Sequence, residues 1–150
     1  MSYLINLDKQ DLKWLQKALD KKDFREFCNQ IVVKQGYAYA TNGHVIHKIK
    51  CSWDEQEGTY SREGIKIDAD REHPLSKRDL FDTPFNLECE LSIIPNRLNV
   101  LSMGEMGLSK QYFDNAVDKS NEISIKLHEN KDRVYIQYDN REVIIMGMKL

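Results

Sequence analysis

Tyr37-Ala38-Tyr39-Ala40-Thr41-Asn42-Gly43-His44-Val45-Ile46-His47-Lys48 is the stretch that decides the fold. Two arms rich in β-formers flank Asn42-Gly43. That dipeptide tolerates the positive φ of a type I′ turn, so the sequence predicts a β-hairpin. The arms also carry the small residues Ala38 and Ala40 and two histidines. This composition predicts that another body approaches the hairpin closely.

On its N-terminal side, Tyr3 to Leu7 reads as a short strand. Asp8 is placed to cap a helix from Lys9 to Lys21, with Leu12, Leu15 and Leu19 as its apolar stripe. Lys9, Lys13, Lys17 and Lys21 recur every four residues on another face. The spacing fits a solvated face, and equally a ladder of ammonium groups aimed at a polyanion. Strands are predicted over 27–34, 37–41 and 44–50. Residues 52–63 read as an exposed acidic loop, 64–68 as a short strand, and 69–85 as irregular chain. Together, 52–86 form an acidic insertion too poor in apolar residues for its own core.

Beyond it, alternation of Leu87, Cys89, Leu91 and Ile93 predicts a strand over 86–94. Pro95 suits the first turn of a helix continuing through Met103, with Leu98 and Leu101 inward. Residues 109–117 read as another helical piece. Three strands follow, at 123–127, 134–138 and 143–150. The order is a βαβββ unit stated twice. It predicts an α+β fold with both helices on one side of antiparallel sheets.

At 150 residues, the chain is most simply one domain over 1–150. Hydrophobic content of 41% against 31% charged places it among globular chains. No apolar run approaches a membrane span, and the N-terminus lacks the features of a signal peptide. Cys28, Cys51 and Cys89 are odd in number and widely spaced, which predicts reduced, buried thiols in a cytoplasmic setting. The net charge of −2 hides an asymmetry: +4 over residues 1–50, −5 over 51–100 and −1 over 101–150. One basic face near the N-terminus is therefore compatible with the acidic total.

Chemistry-bearing patterns are sparse. His44 and His47 lie three apart, so in a strand they point to opposite faces, and no third ligand has metal-site spacing. His47 reads as a strand-surface residue. Asp82, Glu88 and Glu90 have no partnered nucleophile, and there is no phosphate-binding glycine loop and no Gly-x-Ser-x-Gly. The reading is a protein that is not an enzyme and needs no cofactor or metal. Met146 and Met148 read either as core or as an adaptable apolar wall.

Ala40-Thr41-Asn42-Gly43-His44 resembles the Ala-Thr-Asp-Gly-His signature of bacterial DNA polymerase sliding clamps. The clamp continues Arg-Leu where this chain has Val45-Ile46. Val143-Ile144-Ile145-Met146-Gly147-Met148-Lys149-Leu150 is similar to the clamp's terminal Val-Val-Met-Pro-Met-Arg-Leu. Leu91-Ser92-Ile93-Ile94-Pro95, with Leu98 and Leu101, looks like a clamp strand and second helix. The resemblance covers most of the chain outside 52–86. It implies a domain of a ring around duplex DNA that tethers a polymerase and makes or breaks no bond. On it, Lys9, Lys13, Lys17, Lys21 and Arg97 face DNA, with Lys110 as a further contributor. It also implies a partner-peptide pocket shared by Thr41, Gly43 and His44 with Ile144, Met146 and Met148. Two readings result. One is an oligomeric, DNA-bound processivity factor, compatible with a phage or mobile-element origin. The other is a clamp-fold module that holds a protein partner, or competes with a host clamp, without encircling DNA.

Overall fold

The computed structural model describes residues 3–69, 71–117 and 122–149. They form two compact units, divided between Asp79 and Leu80. In the first, Asp8 accepts from the Asp11 amide at 2.8 Å and caps helix α1, Lys9–Gln16. A 3-10 turn, Glu26–Asn29, leads into strand β1, Gln30–Lys34. Strands β2, Tyr37–Thr41, β3, Val45–Lys50, β4, Gly58–Ser61, and β5, Lys66–Ile67, follow. They pair antiparallel in the order β5-β4-β1-β2-β3.

The second unit has strands β6, Leu87–Glu88, β7, Ser92–Ile94, β8, Arg97–Met103, and β9, Met106–Ser109. Helix α2, Lys110–Ala116, is capped by the Ser109 hydroxyl. Strands β10, Ser124–Leu127, β11, Arg133–Tyr138, β12, Arg141–Met146, and β13, Met148–Lys149, complete it. Strands β12, β11, β10 and β6 pair in that order, and β13-β9-β8-β7 form a separate four-stranded sheet. The described fold is thus mostly antiparallel sheet with two α-helices. In each unit a helix precedes a three-strand meander.

Ala38 and Ala40 are fully buried, and the body that approaches them is α1. Ile31 pairs with Ala40, Val33 with Ala38, and Ala40 with His47, which puts these side chains on one face. Trp14 stacks on the His47 ring at 4.2 Å, and His47 Nδ1 lies 2.8 Å from the Trp14 carbonyl oxygen. Burial of Trp14 and Leu15 contributes roughly 2–3 kcal/mol each. His47 is therefore a core residue at 1% exposure and not a surface one.

Several sequence expectations need correction. The first helix stops at Gln16, not Lys21: the Ala18 and Leu19 amides tighten onto carbonyls three residues back, and the Asp20 amide donates to the Cys28 carbonyl. Residues 97–103 form β8, not a helix. Asn96, at φ +69°, turns the chain back so that Arg97 pairs with Ile94. The strand expected over 86–94 is split into β6 and β7, and Tyr3–Leu7 contributes one bridge, Leu4 to Ile65. The strand expected over 143–150 runs as β12 and β13, with Leu150 outside the described residues. A break at Gly147 lets the chain change sheets. A Cβ there would lie 2.3 Å from Met103 Cε and 2.9 Å from the Asp132 carbonyl oxygen. The Gly147 amide donates to that same oxygen at 2.7 Å.

The acidic insertion is built into the first unit. Strand β4 pairs with β1, and buried Glu55 accepts from the Tyr3 hydroxyl at 2.5 Å and the Asn6 amide at 3.1 Å. Lys34 Nζ donates to the carbonyls of Leu75 and Arg78, pinning residues 73–78 as a strap. Burial lowers the Lys34 pKa. Under the strap His73, at 2% exposure, packs edge-on against Phe27, and its Nδ1 accepts from the Leu75 amide. Burial pushes the thiols of Cys28 and Cys51 up to about 11, so both stay protonated at neutral pH.

Burial also pushes His73 down to about 4 from 6.5. Its folded pKa is depressed, so the unfolded chain takes up the proton first. Stability is whole above pH 6.5 and falls as pH drops from 6.5 towards 4. The loss expected from this one group is about 3 kcal/mol. Urea midpoints measured across that window should fall for the native protein and fall less for His73→Gln. Equal slopes would refute the assignment.

Candidate functional site: the hairpin tip and its flanking cleft

Thr41 pairs with Ile46, leaving Asn42 to Val45 as the tip. Of these, only Gly43 has positive φ, at +92°. The tip is therefore not the predicted type I′ turn. Asn42 acts through its side chain instead: Oδ1 accepts from the amides of His44 at 2.9 Å and Val45 at 3.1 Å. Thr41 Oγ1 donates to the Val45 carbonyl at 2.8 Å and accepts from the Gly43 amide at 3.0 Å. The paired positive φ values occur at Gln35-Gly36, the β1–β2 connection.

Arg25 braces the tip from below. Its guanidinium donates to both oxygens of Asp23, at 3.0 and 2.7 Å, and to the Asn42 carbonyl at 3.1 Å. These bonds hold the Asp23 carboxyl well below the usual carboxylate range. A Cβ on Gly43 would lie 3.2 Å from Arg25 Nη1. Beside Arg25 opens a cleft of about 390 Å³. Phe24, Arg25 and Phe27 line it, together with Arg71, Glu72 and the strap residue Pro74. Phe24 is 94% exposed. No expectation from sequence named this cleft; the available signal was an aromatic pair, Phe24 and Phe27, inside an otherwise charged stretch.

The predicted pocket residues divide between the units. Thr41 is buried and spent on the turn, while Gly43 and His44 are exposed. In the second unit Ile144 is buried in β12, Met146 is half-buried at its end, and Met148 is 36% exposed on β13. Each set is ordered within its own unit. The predicted lysines are all exposed, and none makes an ion pair among the described residues. Lys9 and Lys13 stand on α1, Lys17 is its C-cap, and Lys21 lies in the turn beyond. Arg97 is exposed on β8, and Lys110 is paired with Asp114 at 2.6 Å. Among the described residues no cluster of His, Cys, Asp and Glu has the makings of a metal site, and no helix is long and apolar enough to cross a membrane.

The architecture is a sliding-clamp-like fold. It is similar to the DNA polymerase sliding clamp from Pseudomonas aeruginosa, with a TM-score of 0.62 and 12% identity, over 100% of this chain and 68% of that one. It is similar also to the DNA polymerase III beta subunit from Thermotoga maritima, with a TM-score of 0.51 and 12% identity, over 93% of this chain and 61% of that one. This chain thus spans about two thirds of each relative's length. No protein-family model and no curated protein sequence matches it.

Replacing Asn42 tests the tip. Asn42→Ala leaves the buried Val45 amide without its acceptor and should cost about 1–2 kcal/mol in urea unfolding. Asn42→Asp retains Oδ1 and should cost less. Equal losses would show that the side-chain acceptor does not shape the turn.

Proposed function

We propose that this protein is a clamp-like processivity factor that retains duplex DNA non-specifically and tethers a polymerase or another replication protein. The observation that carries this reading is the likeness of fold to a sliding clamp over the whole chain. The duplicated βαβββ unit and the single-domain organisation belong to the same proposal, as does a cytoplasmic location. Lys9, Lys13, Lys17 and Lys21 supply the DNA-facing charge, and Arg97 adds a cation from the second unit. Exposed ammonium groups that make no ion pair among the described residues suit sequence-blind attraction to phosphates, which permits sliding. No bond making or breaking is assigned to the protein. In this reading Thr41, Gly43 and His44 of the first unit, and separately Ile144, Met146 and Met148 of the second, contribute to holding a partner's extended peptide. Gly43, His44, Met146 and Met148 offer accessible surface, while Thr41 and Ile144 act by shaping it.

A second reading, a clamp-fold module that binds a protein or interferes with a host clamp without encircling DNA, is favoured by one observation. The aromatic cleft beside Arg25 offers a concave surface with apolar walls and a charged rim.

Fluorescence anisotropy with a labelled duplex separates the two. Five phosphate contacts, from Lys9, Lys13, Lys17, Lys21 and Arg97, predict a log–log salt slope of about −4.5. Lys13→Glu with Lys17→Glu should weaken binding at low salt and flatten that slope. If the native protein shows no affinity for duplex at low salt, the DNA reading fails.

A further inference from the structure

Asn42 is followed by Gly43, and no other asparagine in the sequence precedes a glycine. Such a pair carries its own chemistry. Glycine has no side chain to keep its backbone nitrogen away from the asparagine's side-chain carbonyl carbon. When the Gly43 nitrogen gives up its proton, it attacks Cγ of Asn42. A succinimide ring closes, the Cγ–Nδ2 bond breaks, and Nδ2 leaves with that proton as ammonia. Water then opens the ring at either carbonyl. Attack at Cγ gives aspartate at position 42, and attack at the backbone carbonyl carbon gives isoaspartate. Nothing is oxidised or reduced; water enters and ammonia leaves.

The folded tip holds the reacting groups in separate bonds. The Gly43 amide, which must lose its proton to attack, donates to Thr41 Oγ1 at 3.0 Å. Thr41 Oγ1 is itself fixed, donating to the Val45 carbonyl at 2.8 Å. Asn42 Oδ1 accepts from the amides of His44 at 2.9 Å and Val45 at 3.1 Å. The side-chain carbonyl is thus tied forward to residues 44 and 45, while the Gly43 N–H is tied back to residue 41. Ring closure requires the second tie to break, so that the nitrogen is free to ionise.

Burial and a brace reinforce this. Asn42 is 8% exposed, which restricts the access of base and water. Its backbone carbonyl, the other carbon of the ring, accepts at 3.1 Å from the Arg25 guanidinium, which is clamped on Asp23. Two amides on a carbonyl oxygen also polarise it, as oxyanion donors do. Here the nucleophile decides, because it keeps its proton for as long as it donates to Thr41.

We propose that Asn42-Gly43 is a latent self-modification site, held intact by the folded tip and converted only through openings that release the Gly43 amide from Thr41. Conversion is one-way, so the modified fraction records how often the tip has opened. The two products differ. Aspartate retains Oδ1 as the acceptor for the turn and adds a negative charge. Isoaspartate routes the main chain through Cγ, which lengthens it by a methylene and removes the side-chain acceptor that shapes the tip. The inference rests on the tip's own bonds and requires neither DNA nor a partner.

Incubating the full chain in heavy-oxygen water at mildly alkaline pH, followed by peptide mapping, measures conversion at Asn42. A synthetic peptide spanning 37–48 gives the unprotected rate. The full chain should convert more than about tenfold more slowly than the peptide. That slowing should be at least as large as the hydrogen-exchange protection of the Gly43 amide in the same buffer, because every route to the ring needs that amide released. Thr41→Val removes the acceptor and should move the rate towards the peptide's, whereas Thr41→Ser keeps a hydroxyl and should stay near the native rate. Urea curves for both variants separate tip opening from global unfolding. Should Thr41→Val fail to fold, the comparison of full chain, peptide and amide protection still decides. Conversion of the full chain as fast as the peptide would overturn the proposal. So would a slowing smaller than the Gly43 protection, or a folded Thr41→Val protein that converts at the native rate.

Discussion

The seating of α1 on the Ala38–Ala40 face is the constraint on which the first unit depends. Two methyl side chains leave room for the Trp14 indole, and His47 provides both a stacking partner and a nitrogen for the Trp14 carbonyl. Once Trp14 and Leu15 are buried, the helix cannot rotate, and Lys9, Lys13 and Lys17 are carried to the solvent side. A larger residue at Ala38 or Ala40 would lift the helix and loosen β2 and β3 beneath it. The close approach that Ala38 and Ala40 predict is that of the protein's own helix.

How much of this was legible depended on where the determinants lie in the chain. The β2–β3 hairpin, α1's start at Asp8 and the final meander are local: a cap, an alternation and a tight connection each announce themselves within a few residues. The end of α1 was not legible, because it is set by a hydrogen bond from Asp20 to Cys28, and Lys17 and Lys21 keep the four-residue spacing past it. Residues 97–103 misled because Leu98 and Leu101 fit a helical spacing, while the turn at Asn96 and the pairing of Leu101 with Leu108 decided for a strand. Strand β4 was hidden because Thr59 and Tyr60 sit between acidic neighbours. Its partner β1 is nearly thirty residues back.

The candidate site was legible to a smaller degree. Asn42 and Gly43 marked the tip correctly, but the role of Asn42 is that of an acceptor, which an aspartate would fill equally well. That makes the difference from Ala-Thr-Asp-Gly-His chemically mild. The cleft beside the tip needed two segments almost fifty residues apart, Phe24–Phe27 and Arg71–Pro74, and a buried lysine to hold the second in place. No short motif encodes such a juxtaposition.

The passage at Gly147 has a mechanical consequence. Strand β12 is held to β11 along its whole length, whereas β13 is held to β9 at two positions only, Met148 with Gly107 and Lys149 with Met106. A pull applied beyond Lys149 would therefore load the short ladder first. It would peel β13 away while β12 stays locked by Val143, Ile144 and Ile145. Gly147, tied to the Asp132 carbonyl, is where the load would stop. Strand β13 is thus a fuse: a segment that yields at low force and shields the sheet behind it.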